Sequence, residues 1–310
     1  MQKDVPCGRF APSPSGRLHL GNVLCALLAW LSIRSQNGTM LLRVEDLDRA
    51  RCASRERIEQ MLSDLRWLGL CWDGGEDPAA YQSARTAIYN TYFEKLKAQG
   101  CIYPCYCTRA ELHAASAPHA TDGVPVYDGK CRRLADAGGT PPAGRNPAWR
   151  LRVPDQTVAF ADGVQGLYTE NLATDCGDVL LRRSDGVFAY QLAVVVDDAL
   201  SGVTQVVRGR DLLSSTPRQI YLHKLLGFTP PQFYHIPLLT RADGTRLAKR
   251  DAALDMGVLR QTYKNPEPLI GKLAYAVGLL PEEIPLSATA LIPFFDWKKI
   301  SKKDIRLADE

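Results

Sequence analysis

The sequence predicts an α/β protein in which a parallel sheet is split by an insertion and followed by a small helical domain. Strand-like and helix-like segments alternate over the first hundred residues. The alternation breaks across 101–178, where cysteines cluster and Gly- and Pro-rich turns run through Pro147, and it resumes beyond 179. The chain has 310 residues, 45% apolar and 23% charged, enough for about two domains of roughly 150 residues each. That composition excludes a disordered chain, a collagen or a small disulfide scaffold.

Each element has its own justification. Cys7-Gly8-Arg9-Phe10 ends a short strand, and Asn22 to Ser35 is apolar almost all round, as in a buried helix. Gly38 suits the cap of that helix, and Met40 to Val44 reads as a buried strand. Ile58, Met61, Leu62, Leu65 and Leu68 recur at helical spacing, and a second helix from about Ala84 to Gln99 is stopped by Gly100. In the insertion, Thr108-x-x-Glu111 forms a capping box. Alternation returns with Tyr190–Val196 and Val203–Val207. Thr216-Pro217-Arg218-Gln219 then opens a helix with Thr as its cap, closed by Gly227. After Arg250 the chain becomes a short, mostly helical appendage.

Charge and cysteines narrow the class. The net charge of +4 permits an anionic partner without demanding one. Val23 to Ile33, the longest nearly apolar stretch, falls short of the roughly 20 residues that span a bilayer. Lys3, Asp4 and Pro6 leave no signal-peptide core, so the expectation is a soluble cytoplasmic protein with no membrane partner. Nine cysteines in that setting point to reduced thiols or metal ligands.

Two segments carry chemistry. Pro12 to Asn22 lies between a strand and a helix, where a parallel sheet opens its ligand crevice. Gly21 admits a phosphate-bearing ligand to the backbone, the helix N-terminus offers free N–H donors, and His19 donates to a phosphate oxygen. Far downstream, Arg246-Leu247-Ala248-Lys249-Arg250 is a basic loop suited to clamping the phosphates of ATP as charge develops.

Together these segments resemble the HIGH and KMSKS signatures of the class I aminoacyl-tRNA synthetases, here His19-Leu20-Gly21-Asn22 and Arg246-Leu247-Ala248-Lys249-Arg250. Arg9 to Gly16, Val44-Glu45-Asp46-Leu47-Asp48, Tyr190, Asp197-Asp198, Val207 to Asp211 and Ser215 to Gln219 resemble the glutamate-activating branch. The resemblance implies a Rossmann-like catalytic domain with halves at 1–100 and 179–240. It also implies an acceptor-binding-like insertion at 101–178 and a KMSKS-like loop with a stem-contact-like helical domain at 241–310. It assigns glutamate contacts to Arg9, Ala11, Ser13, Glu45, Tyr190 and Arg208. His19, Gly21, Asn22 and Lys249 bind ATP, with His19, Asn22 and Lys249 catalytic and Mg2+ accompanying ATP. A dicarboxylic substrate needs such guanidinium forks, and glutamine would leave one poorly paired at about 1–3 kcal/mol. Ala248 stands where the family has serine, so one hydroxyl contact to ATP is missing.

Cys105, Cys107 and Cys131 supply three thiols, and structural zinc takes four ligands. On chemistry alone Cys101, His113, His119 and Tyr127 all qualify as the fourth, with a cysteine or histidine preferred. Tyr127-Asp128-Gly129-Lys130-Cys131, however, resembles the zinc site of shortened glutamyl-tRNA synthetase relatives. That resemblance implies the set Cys105, Cys107, Tyr127 and Cys131 and one structural Zn2+.

About 60 residues follow Arg250, room for a stem-contact-like piece without an anticodon-binding domain. With Tyr190 to Asp198, this resembles the truncated family that glutamylates queuosine in tRNA(Asp). The implied partners are L-glutamate, ATP and queuosine-bearing tRNA(Asp), and the expected state is a monomer. Alternatives from other classes are a truncated synthetase charging tRNA(Glu) and a non-catalytic RNA- or glutamate-binding paralogue. The basic run Lys298, Lys299, Lys302, Lys303 and Arg306 serves any of these.

Overall fold

The computed structural model describes residues 5–48, 52, 54–108, 111, 126–140, 142, 144–241, 243–245 and 254–307. Strand β1 (Cys7–Phe10), helix α1 (Leu20–Arg34) and strand β2 (Thr39–Leu42) form a βαβ unit whose strands pair in parallel. Buried side chains line α1 on every side because β1, β2, a later strand at Gln205–Gly209 and a C-terminal helix at Ala288–Leu291 surround it. Burying each of its leucines contributes about 1.5–3 kcal/mol. Its cap differs from expectation: Asn37 takes the left-handed conformation (φ 54°), and the Gly38 N–H bonds to the Ile33 carbonyl at 2.9 Å. Gly38 is needed for space, since a Cβ there would lie 2.4 Å from the Pro6 carbonyl oxygen.

Helix α2 (Arg55–Trp67) buries Ile58, Met61, Leu62 and Leu65, as its spacing predicts. Helix α3 (Thr86–Ala98) ends before Gly100, which has a positive φ of 69°. The insertion holds β3 (Ile102–Cys105), α4 (Lys130–Asp136), β4 (Ala148–Leu151), β5 (Thr157–Asp162), β6 (Gly166–Asn171) and β7 (Val179–Arg182). Strands β3, β4 and β7 make an antiparallel sheet, and β5 and β6 a hairpin. Pairing of β7 with β4 carries that sheet past position 178.

The parallel sheet resumes with α5 (Tyr190–Leu200), β8 (Gln205–Gly209), α6 (Thr216–Leu226) and β9 (Gln232–Ile236). Its order is β2-β1-β8-β9, all parallel, as the alternation predicts. Thr216 does not cap α6. A short 3-10 turn (Arg210–Ser215) leads into the helix with Ser215 at its N-cap, and the Thr216 hydroxyl serves the site described below.

Strand β10 (Leu239–Thr240), helices α7 (Met256–Thr262), α8 (Glu267–Ala276) and α9 (Ala288–Leu291), and strand β11 (Ile305–Arg306) complete the described chain. Pairing of β11 with β10 ties the last segment back to the sheet's exit. One apolar cluster joins α1, α2 and the C-terminal helices through Leu27, Leu65, Leu269, Leu273 and Leu291. A second joins α3, α5 and α6 to the insertion's sheet through Phe93, Leu151, Leu181 and Val195. No helix among the described residues is long and apolar enough to cross a membrane.

Candidate active site

Strand order reverses between β1 and β8, the switch point at which open parallel sheets accept ligands. A cleft of about 510 Å³ opens there. Arg9, Ala11, Ser13, His19, Gly21, Asn22, Glu45, Tyr190 and Arg208 all line it, so the structure gathers every described glutamate and ATP candidate into one cavity. Lys249, with the rest of the basic loop at 246–250, lies outside the described residues.

Two hydrogen bonds fold the signature loop onto the exit of β2: Arg43 N–H donates to the Phe10 carbonyl at 2.9 Å and Glu45 N–H to that of Pro12 at 3.0 Å. The residues of β1 and of this exit share an ion network. Arg9 Nε donates to Asp198 at 3.2 Å, and Arg43 bonds to both Asp198 and Glu45, the latter at 3.1 Å. Burial alone would raise the Asp198 carboxyl, but Arg43 and Arg9 hold it below the usual range. Burial pushes Glu45 the other way, in spite of the same two cations.

Arg208, at 4% exposure, sits on β8 in a different environment. Its Nε donates to His235 Nε2 at 2.9 Å, Nη1 to Gln219 Oε1 at 2.8 Å, and Nη2 to the Thr216 hydroxyl at 2.7 Å. The Tyr190 hydroxyl lies 3.5 Å from Nη1. All these partners are neutral, and among the described residues no carboxylate is within ion-pair distance of Arg208. Burial accordingly lowers the Arg208 pKa. A guanidinium has five N–H donors: the three short bonds leave one wholly free on Nη2 and one on Nη1 that donates only weakly to the Tyr190 hydroxyl, so a ligand can claim both. The arrangement suits a carboxylate.

His19 sits at the N-cap of α1, and its N–H donates to Asn22 Oδ1 at 3.1 Å, so the Asn22 oxygen closes the helix entrance. Gly21 lies against the His19 ring, where a Cβ would stand 3.1 Å from Cε1. The segment that follows the basic loop docks on this turn. His19 and Asp255 form an antiparallel bridge, and Met256 N–H donates to the Leu18 carbonyl at 2.8 Å. Below it, the buried Asp64 of α2 pairs with Arg17 of the turn at 3.6 Å and with Arg260 of α7 at 2.9 Å.

The insertion builds a separate cluster. The thiol sulfurs of Cys105, Cys107 and Cys131 all lie within 4.8 Å of one another. The Tyr127 hydroxyl is 3.7 Å from both Cys105 and Cys107, and Cys131 N–H donates to it at 2.7 Å. Arg150 stacks over the Tyr127 ring at 4.1 Å and donates to Cys105 at 3.4 Å. Three soft donors converging beside a phenol suit a thiophilic cation, and burial pushes the Cys107 thiol up to about 12 without one. Among the other candidates, His113 and His119 lie outside the described residues and Cys101 is not part of the cluster. The Thr108–Glu111 capping box forms, with Glu111 accepting from Thr108 N–H at 2.8 Å and donating its own N–H to the Thr108 hydroxyl at 3.2 Å.

Several residues that support the cleft's lining from behind escape sequence reasoning. Arg43, Asp162 and His235 fall in no functional motif, and Asp198 is legible only within a resembling one. Thr216 and Gln219 read as helix-start signals, although their side chains hold Arg208. The one local clue to His235 is its place at the apolar end of β9.

Fold and cleft together define a class I aminoacyl-tRNA synthetase catalytic unit, and the family model of class I tRNA synthetases (E and Q), catalytic domain, matches residues 7–285. The chain is 48% identical over 314 residues to the glutamyl-Q tRNA(Asp) synthetase of Symbiobacterium thermophilum, covering 98% of this chain and 96% of that protein. The enzyme of the same name from Nitratidesulfovibrio vulgaris is 47% identical over 302 residues, covering 92% and 93%. The chain therefore belongs to the glutamyl-Q tRNA(Asp) synthetase family. Its fold also matches a glutamate tRNA ligase from Elizabethkingia meningosepticum, solved in complex with its amino acid. That match has a TM-score of 0.78 at 25% identity and covers 98% of this chain and 67% of that one.

Proposed function

We propose that the protein activates L-glutamate with ATP and transfers it to the queuosine base at the wobble position of tRNA(Asp). One observation carries the amino-acid half of this reading: Arg208 is a buried cation in the cleft with only neutral protein partners. A side-chain carboxylate meets its remaining donors through charge-assisted bonds of about 1.5–3 kcal/mol each, which glutamine cannot match. The kinship described above supports the tRNA half.

In the first step the substrate α-carboxylate attacks the α-phosphate of ATP, forming glutamyl-adenylate and releasing pyrophosphate. No strong base is needed because the nucleophile is already ionised, so positioning and charge neutralisation dominate. Arg9, Ala11, Ser13, Glu45 and Tyr190 surround the amino acid, with Glu45 toward its ammonium. His19, Gly21 and Asn22 at the α1 entrance take ATP with its Mg2+, and Lys249 closes on the phosphates. In the second step a hydroxyl of the queuosine ring attacks the activated carbonyl, and AMP leaves. Residues 1–100 and 183–240 serve as the catalytic halves, 101–182 as the acceptor-binding-like insertion and 241–310 as the stem-contact-like part. Cys105, Cys107, Tyr127 and Cys131 hold a structural Zn2+, whose contribution is to fix the insertion. Elemental analysis of purified protein should give about one zinc per chain, and a value well below that removes the assignment.

Pyrophosphate exchange with glutamate and no tRNA tests the first step. Labelled glutamate is then offered to tRNA(Asp) with and without queuosine, and to tRNA(Glu). Exchange, followed by transfer only to the queuosine form, is the expected result. Transfer to tRNA(Glu), or to both forms of tRNA(Asp), overturns the substrate assignment, and no exchange overturns the activity.

A further inference from the structure

Arg208 and His235 face each other as direct partners in the parallel pairing of β8 with β9. Arg208 Nε can only donate, so the lone pair that receives it at 2.9 Å belongs to His235 Nε2. The ring proton is therefore on Nδ1, and it points to Asp162 Oδ2 at 2.6 Å. Asp162, at the end of β5, is itself held by the backbone N–H groups of Val164 at 2.9 Å, Gln165 at 2.8 Å and His235 at 3.1 Å. The Thr216 hydroxyl closes the ring of contacts, accepting from Arg208 and lying 3.2 Å from His235 Nε2. His235 is fully buried and stacks on Phe233 with 17° between the planes.

We propose that Asp162 and His235 are positioning residues that set the cleft's preference for a dicarboxylic amino acid by orienting Arg208 without neutralising it. A carboxylate placed directly on Arg208 would orient it equally well, but would also satisfy its charge and weaken its claim on a ligand. The imidazole ring separates the two functions. Asp162 fixes the tautomer, His235 offers a neutral acceptor, and the guanidinium keeps its full charge for the substrate. Burial keeps the imidazole neutral, with its pKa lowered to about 4. A doubly protonated ring would set two cations face to face.

The inference rests on the reading that Arg208 takes the substrate's side-chain carboxylate, and the test separates the two. Wild type, His235→Leu, His235→Gln and Asp162→Asn are compared by pyrophosphate exchange over glutamate, glutamine and ATP concentrations, with thermal midpoints alongside. His235→Leu should raise the glutamate KM at least about tenfold, leave the ATP KM unchanged and narrow the preference for glutamate over glutamine. His235→Gln, whose amide oxygen can accept from Arg208 Nε, should return the glutamate KM to within a few-fold of wild type. Nitrogen-15 NMR of wild type should report the Nδ1–H tautomer at His235, and Asp162→Asn should weaken that signature. The proposal is overturned if NMR finds the Nε2–H tautomer. It is equally overturned if glutamate and ATP KM rise together, or if His235→Gln is no better than His235→Leu. If Arg208 variants abolish glutamate activation while His235→Leu does not, only this inference fails. If wild type activates no glutamate, the underlying reading fails, and the tautomer measurement still decides the geometry.

Discussion

Arg9 and Arg208 stand on neighbouring strands, are equally buried at 4% exposure and line the same cleft, yet they are built for different ends. Arg9 donates to Asp198, which it shares with Arg43, so its charge is met inside the protein. Arg208 rests on a hydroxyl, an amide oxygen and an imidazole nitrogen, and its charge is not met. Burying an ion pair and then breaking it is strongly destabilising, whereas a buried charge with only neutral partners is a standing cost that a ligand can offset. The first arrangement belongs to the architecture of the cleft and the second to its selectivity.

Removing Asp198 gives the sharpest test of that difference. Asp198→Ala leaves Arg9 and Arg43 buried without their shared partner and should cost about 3–5 kcal/mol in urea unfolding. A loss under about 1 kcal/mol would erase the distinction between the two arginines. Arg208→Gln should do the reverse. Glutamate kcat/KM should fall by roughly 100-fold or more, while stability changes by no more than about 1 kcal/mol or increases. Equal losses of stability in the two variants would show that Arg208 is structural too.

Acidity probes the neutral side of the comparison. His235 has its pKa lowered from 6.5 to about 4 by burial, against the pull of Asp162, with Arg208 and Asp211 the other charged groups acting on it. Between those values the unfolded chain binds the extra proton and the folded one does not, so stability rises with pH through this window. It is complete above about 6.5 and is lost as pH falls toward 4, by roughly 3 kcal/mol for a shift of this size. Asp162, held below its ordinary value, adds a loss in the same direction at lower pH. His235→Gln should flatten the profile between pH 4 and 6.5, which urea melts across that range would reveal. The smallest effect is expected from Thr216→Val, which removes one hydroxyl from the Arg208 set. It should raise the glutamate KM by about 3- to 10-fold with the ATP KM unchanged, consistent with a bond of about 1 kcal/mol.

What could be foreseen from sequence follows the range of the interactions involved. The βαβ start, the parallel sheet and the cleft signature are local patterns, each written within a short stretch of chain. Arg9 and Arg208 were named because they lie in ordered motifs. The supports of Arg208 that lie outside those motifs are not legible, because His235 is 27 residues from Arg208 and 73 from Asp162. Nothing local distinguishes such a histidine from one packed in a core. Thr216 and Gln219 show a different limit: a hydroxyl and an amide suited to capping a helix are equally suited to holding a guanidinium, and only the fold selects. Tyr127 qualifies on chemistry only as one fourth ligand among several, and resemblance is what singles it out, since a cysteine or histidine is the usual first choice beside thiols.

The pairing of β1 with β8 also has a consequence in time. Thr204 closes a clamp on β1, accepting from Cys7 N–H through its hydroxyl at 2.9 Å and donating its own N–H to the Cys7 carbonyl at 2.8 Å, across 197 residues of chain. On a ribosome, β1, α1 and β2 emerge first and can join, but the other edge of β1 must wait for the roughly 160 residues that separate β2 from β8. At about 5–20 residues per second that edge stays open for roughly 10–30 s. During this interval an apolar parallel strand is a template for the wrong neighbour. The insertion's antiparallel strands, by contrast, meet partners much nearer in sequence. Synthesis thus leaves the half-built sheet dependent on prompt completion or on a chaperone, and the yield of soluble protein should track elongation through the insertion.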